Sequence, residues 1–299
     1  MADIQTLLKN ILSAVYGKDV RQSIHDAIHQ CYEDGKAGQQ DLIARENVTQ
    51  LSNPNLLLNG DFRNVVNQRK QTIYTSTNSW NKTYTIDRWC IMSGVNVMSV
   101  NVNSDSITIT TGKEVGHFRQ PFEFALPNDN YTITINVLNL SGSVAFHTDN
   151  SEKFVVQKGI NVFKVKDLLT YVNILMEANS SIEIEYIKLE RGNIATPFVP
   201  RFFSEEMALC KRFYMQLVED SFILVRQRYD NVSYYQGFFF PVEVRRADSI
   251  TYESKTHNGV NLTGILSANA TTKGIKYFNA LGDYPSVELT KFVVDAEIY

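Results

Sequence analysis

The chain has 299 residues, with 29 Lys plus Arg against 32 Asp plus Glu, a formal net charge of −3 and no long run of one sign. That balance excludes the clustered basic face of a nucleic-acid binder, and no stretch approaches the roughly 20 apolar residues of a membrane-spanning helix. Three cysteines far apart in sequence, Cys31, Cys90 and Cys210, allow neither a disulfide framework nor a paired-cysteine metal site, and the N-terminus lacks the basic, apolar and small-residue regions of a signal peptide.

Residues 3–34 read as two short helices. Ile4, Leu8, Ile11 and Val15 share one stripe at helical spacing, Gly17 breaks the run, and Asp19 with Gln22 has capping-box spacing ahead of a second face built on Ile24 and Ile28. So short a helical pair cannot enclose a core, and the stripes are expected to pack on copies of themselves. His25 and His29 lie four apart with an acid after the first, as in zinc-protease helices. The acid is the short Asp26, and no third ligand or surrounding domain accompanies it, so the pair reads as solvated or subunit-facing.

From Asn53 onward the texture changes to strands and turns, with alternation clearest in 131–137 and 182–186 and present in 100–102 and 107–110. Short strands with one polar face, separated by Gly, Asn, Asp and Ser, predict an antiparallel β-sandwich of about 150 residues. Pro197 and Pro200 end it, because neither can donate to a ladder. Ser204 then suits an N-cap, with Glu205 and Glu206 at the positive end of a helix dipole and Met207, Cys210, Tyr214 and Leu217 at helical spacing, which predicts a helix of about four turns. Strands at 222–225, 234–244, 249–252 and 292–294 complete a smaller β domain. The expected architecture is mainly β: a helical segment 1–50, a jelly-roll-like sandwich 51–201, and a connecting helix with a small C-terminal β domain 202–299.

Few groups offer catalysis: the chain has no nucleophile elbow and no phosphate-cradling loop. Glu183 and Glu185 are the obvious carboxylate pair and sit on the polar face of a strand, where solvation is the simpler reading. Asn59-Gly60-Asp61 fits a hairpin turn, with a calcium corner at Asn59 and Asp61 as the alternative. Trp89 sits among apolar residues and reads as core. Trp80 and Tyr84 lie in a polar loop, and Tyr229, Tyr234 and Tyr235 stand beside Asn231 and Ser233, which makes these rings the candidates for stacking on a sugar or for an interface.

Four groups of residues carry a family resemblance. Ile184 to Glu190, Ala195-Thr196-Pro197-Phe198-Val199-Pro200-Arg201 and Leu209-Cys210-Lys211-Arg212-Phe213-Tyr214 resemble a recurring segment of tail-fibre and receptor-binding proteins of tailed phages and prophages. Asn55 to Phe62, Asn67-Gln68-Arg69 and Tyr84 to Trp89 are similar to the carbohydrate-binding-module-like sandwich of those proteins. Tyr16 to Ile24 resembles the baseplate-attachment helices of siphophages of Gram-positive hosts, and Pro241 to Ala247 with Asp295-Ala296-Glu297 resembles their tip domain. Lys70 departs from the pattern, standing where the Asn-Gln-Arg run continues with Gly. The resemblance implies a homotrimer knit by Ile4, Leu8, Ile11, Val15, Ile24 and Ile28, assembled in the host cytoplasm without a leader and mounted on the virion tail or baseplate. It implies a non-enzymatic adhesin for host cell-surface glycan, with no cofactor, metal, nucleic acid or membrane insertion; a structural spacer and a cell-wall polysaccharide depolymerase are the alternatives.

Overall fold

The computed structural model describes positions 24, 26, 29–31 and 33 of the N-terminal segment and residues 52–298, apart from 78–79, 148–151, 218–221, 230–231, 248, 257–265 and 281–285. The chain divides into two compact units, one comprising 1–53 with 196–199 and the other 54–195 with 200–299. In the first unit the described N-terminal positions are helical and Ile24 is exposed. Ser52 and Asn53 bond Pro197 and Thr196 across the proline-flanked bend. Ile4, Leu8, Ile11, Val15, Ile28 and His25 lie outside the described residues.

The second unit is mainly β. Its larger sheet contains β1 (Ile73–Thr75), β2 (Thr83–Tyr84), β3 (Cys90–Met92), β4 (Met98–Val102), β5 (Ile107–Thr111), β6 (Gly116–Ser141), β7 (Val144–His147), β8 (Lys153–Val155), β9 (Gly159–Met176) and β10 (Ser181–Arg191). All pair antiparallel in a ten-stranded network. The long β6–β9 ribbon organises it. Register shifts around residues 122–128 insert extra residues into β6 and bend the ribbon. Before the bend, β6 pairs β3 and the C-terminal end of β9, which continues through β7 to β8. After it, β6 pairs β10, which continues through β5 and β4 to β1.

The bend therefore folds one hydrogen-bonded network into two layers, a corner by which sandwich strands switch sheets. Both layers feed a single apolar core: Phe118, Ile174 and Phe146 come from one, and Ile133, Ile135, Ile184 and Ile109 from the other. Trp89 is fully buried as expected, its ring stacked on Phe118 with centroids 4.6 Å apart and its indole N–H donating to the Asn59 carbonyl at 2.8 Å.

The Asn59-Gly60 segment is not a hairpin turn. Asn59 itself takes the left-handed conformation, φ 53°, and its buried amide bonds Val66 and Asp87 backbone groups at 2.7–2.9 Å. Gly60 answers a different need: the segment runs beside β10, where a Cβ would meet the Ile187 carbonyl at 2.5 Å. The Asp61 carboxylate is engaged by the Arg63 guanidinium at 2.8 Å. Among the described residues no group of three or more His, Cys, Asp or Glu is placed to hold a metal.

The smaller sheet comprises β11 (Tyr214–Leu217), β12 (Phe222–Tyr229), β13 (Val232–Gln236), β14 (Ile250–Thr256), β15 (Leu266–Thr271), β16 (Gly274–Ala280) and β17 (Ser286–Asp295). Two expectations are corrected here. The connecting helix spans only Phe203–Lys211, begins at Phe202 without a side-chain cap at Ser204, and gives way to β11, where Tyr214 and Leu217 pair with Asp295 and Phe292 of β17. Pairing on a long partner strand overrides helical spacing in a helix too short to persist alone. The run 234–244 is strand only to Gln236; beyond it the chain touches the sheet through a Phe239–Gly274 bridge.

A buried polar joint ties this domain to the sandwich. Arg88 bonds Glu297 at 2.6 Å and lies 3.7 Å from the Phe213 ring; Arg69 lies 3.7 Å from the Tyr214 ring and pairs with Asp87. Gln68 bridges Asp87 and the Tyr214 carbonyl, and Arg245 donates to the Ala296 and Glu297 carbonyls. Burial pushes the Asp87 carboxyl up to about 7 while Arg69 pulls it back.

Candidate functional site

Strand alternation turns Phe118 into the core and therefore sends its neighbours His117 and Arg119 to the opposite face of β6. The antiparallel register sets Arg119 opposite Asn173 of β9, Asn173 opposite His147 of β7, and His147 opposite Lys153 of β8. One polar row thus crosses four strands. The Arg119 side chain is held along its length: Nε donates to Asn173 Oδ1 at 3.0 Å, Nη2 faces His117 Nδ1 at 3.4 Å, Nη1 lies 3.6 Å from Met92 Sδ, and the guanidinium sits 4.5 Å from the Tyr171 ring centroid. Burial, followed by the charge of Arg119, pushes the His117 pKa down to about 4, so the ring is neutral at pH 7. Its Nδ1 also lies 3.2 Å from Asn173 Oδ1 and 3.1 Å from Asn173 Nδ2, so either nitrogen of the neutral ring can carry the proton.

Trp80 completes the site. It sits in the turn between β1 and β2, its backbone N–H donates to the Ser93 carbonyl at 2.9 Å, and its ring lies edge-on to His117 with centroids 6.1 Å apart. The side chain is 45% exposed. Its backbone is left-handed, φ 57°, a conformation that costs a non-glycine residue on the order of 1–2 kcal/mol. An exposed indole next to fixed N–H donors can cover the apolar face of a pyranose while the donors meet its hydroxyls.

Of Trp80 and Tyr84, the two aromatic candidates whose side chains are described, only Trp80 reaches this site. Tyr84 does not: it is 7% exposed, and its hydroxyl donates to the Ile298 carbonyl at 2.6 Å, as does Lys82 Nζ at 2.8 Å. Burial raises its pKa far above the tyrosine norm, and no face of the ring is open for stacking. The period-2 position that puts Tyr84 on the core side of β2 is too short a signal to read from a two-residue strand. Tyr229 lies in β12 opposite Val232, and Tyr234 and Tyr235 lie in β13 opposite Gln227 and Arg226.

The carboxylate pair Glu183 and Glu185, expected on the polar face of a strand, is engaged in ordinary surface bonding. Glu183 accepts from Ser106 at 2.8 Å and from Asn139 at 2.5 Å, and Glu185 accepts from Asn136. His117, Arg119, Tyr171 and Asn173 were not singled out by sequence. The stretch Gly116-His117-Phe118-Arg119-Gln120 does alternate, but its partner strand lies some fifty residues away and only the register assembles the row.

A second recess, about 440 Å³, lies where the smaller sheet meets the 69–71 turn and is lined by Arg69, Tyr214, Gln216, Thr251, Lys291 and Asp295 among others. Its guanidinium is already committed to Asp87 and Glu297.

No protein-family model matches the chain, and no curated protein matches its sequence. Solved structures similar to it include a family 29 carbohydrate-binding module at 10% identity and TM-score 0.28, covering 44% of this chain and 98% of the module. A family 61 module in complex with β-1,4-galactotriose matches at 12% identity and TM-score 0.27, covering 46% of this chain and 99% of the module. The enzymatically active domain of tailspike protein 4 of bacteriophage CBA120 matches at 12% identity and TM-score 0.27, covering 46% of this chain and 21% of that one.

Proposed function

We propose that this chain is a non-enzymatic carbohydrate-binding protein of a phage or prophage tail, attaching the virion to host cell-surface glycan through the Trp80 face of its sandwich. The observation that carries the reading is the exposed Trp80 beside the part-buried polar edges of His117 and Arg119, which buried Asn173 holds in place. The motif resemblance to tail-fibre proteins supports the virion assignment, with the N-terminal helices anchoring a homotrimer to the tail or baseplate. Single-site sugar affinities are weak, and three linked copies raise the effective affinity without any new contact. Exposed Ile24 on the described part of the helical segment supports that assembly.

The test is a glycan array and wall-polysaccharide pull-down with the full chain and with Trp80→Ala. The wild type binds, and the substitution weakens binding roughly 10- to 30-fold, the loss typical of removing a central aromatic anchor. A blank array would favour a structural spacer, and release of reducing ends would establish a depolymerase.

A further inference from the structure

Most of the described arginines pair with a carboxylate, whereas Arg119, like Arg245 on its two backbone carbonyls, does not. Arg63, Arg69, Arg88, Arg191, Arg201 and Arg212 each pair with a carboxylate. Among the described residues Arg119 meets only neutral partners: an amide oxygen, an imidazole nitrogen, a thioether and an aromatic face. Its charge is half-buried and uncompensated.

Among the described residues, the charges nearest His117 share the sign of Arg119. The charged and titratable groups that bear on His117 are Arg119, His147 and Lys153, and Lys82 feels Arg119 and Arg88. The register row Arg119–Asn173–His147–Lys153 carries no acid. A guanidinium presents a planar fork suited to carboxylate or phosphate oxygens, and a desolvated cation without a partner ordinarily lowers stability. Arg119 stands on the face of its strand opposite the core residue Phe118.

From this we infer that the Trp80 face takes an anionic saccharide, one whose carboxylate or phosphate group docks on Arg119 while a neighbouring ring lies on Trp80. Arg119 supplies the charge recognition, with Tyr171 and Asn173 fixing its plane. The neutral His117 ring adds a polar edge beside it. Because the inference rests on the proposed glycan-binding function, its test must separate the two.

The experiment is titration of the full chain against matched pairs on a glycan array: uronic-acid oligosaccharides against their neutral methyl esters, and phosphorylated oligosaccharides against their phosphatase-treated forms. At least one acidic member binds tenfold or more tightly than its neutral twin, and the arm in which this occurs names the anion. That preference shrinks as salt rises from low to 0.5 M, because Debye screening then acts within a few Å. Arg119→Met, which keeps an apolar stem over Tyr171, lowers binding of both twins by the loss of a donor and brings their affinity ratio to about one, so the ratio is the readout. Arg119→Lys keeps part of the preference, since a point charge replaces the fork. Equal binding of acidic and neutral twins overturns this inference and leaves the glycan-binding function standing. Binding of no glycan by the wild type overturns both. Should Arg119→Met fail to fold, the salt series on the wild type decides: a preference insensitive to salt is not charge recognition and contradicts the inference.

Discussion

Trp80 and Lys70 hold the same left-handed backbone conformation, φ 57° and 56°, for different reasons. Lys70 is an exposed turn residue whose N–H returns to the Asn67 carbonyl at 3.1 Å, a geometry that glycine adopts freely. It is also where the resembling family's run continues with Gly. Lys70→Gly is therefore expected to raise unfolding stability by about 1 kcal/mol, the relief of left-handed strain less the greater chain entropy of glycine. A denaturant melt reads this directly, and a clear loss of stability would mean the lysine side chain has a role there. Trp80 cannot be relieved in the same way, because its ring is what the site presents.

Among the elements, the joint between the two β domains gathers residues from several of the segments that carry the family resemblance. Gln68 and Arg69, Asp87 and Arg88, Phe213 and Tyr214, Arg245, and Ala296 and Glu297 come from five separate segments and meet at one buried contact. These motifs mark how the domains are fastened. Glu297→Gln leaves Arg88 buried beside a neutral amide and is expected to cost roughly 3–5 kcal/mol; a melt shifted by less than 1 kcal/mol would show that the Pro121 carbonyl, 2.6 Å from Arg88 Nη2, suffices alone. The strands at 131–137, 182–186 and 107–110 were legible in sequence because alternation is local. The helix over 204–217 was misread because Tyr214–Leu217 answers to β17, nearly eighty residues on, and no spacing within the segment reports that partner. The polar row was hidden for the same reason: Arg119 and Asn173 are neighbours only by register, while Trp80, whose polar loop context is local, could be picked out. Tyr84 shared that context and was buried by the Ile298 end of the chain.

For the whole molecule, the reading joins a glycan-binding sandwich to an assembly that multiplies a weak contact. Three copies linked through their helical segments would carry three Trp80 faces. Sedimentation equilibrium of the full chain is expected to give a trimer, and removal of residues 1–50 a monomer that still folds, since unit 54–299 without 196–199 has its own core. A stable monomer of the full chain on dilution would contradict the trimeric adhesin.

The most direct test uses the fact that the chain contains two tryptophans, Trp80 and Trp89. Labelled with 5-fluorotryptophan, it gives one fluorine resonance from an exposed ring and one from a ring sealed in the core. Titrated with a saccharide that the chain retains on an array, the Trp80 resonance is expected to move saturably while Trp89 stays in place. Saturable binding that leaves the Trp80 resonance unmoved would place the ligand elsewhere and contradict the account.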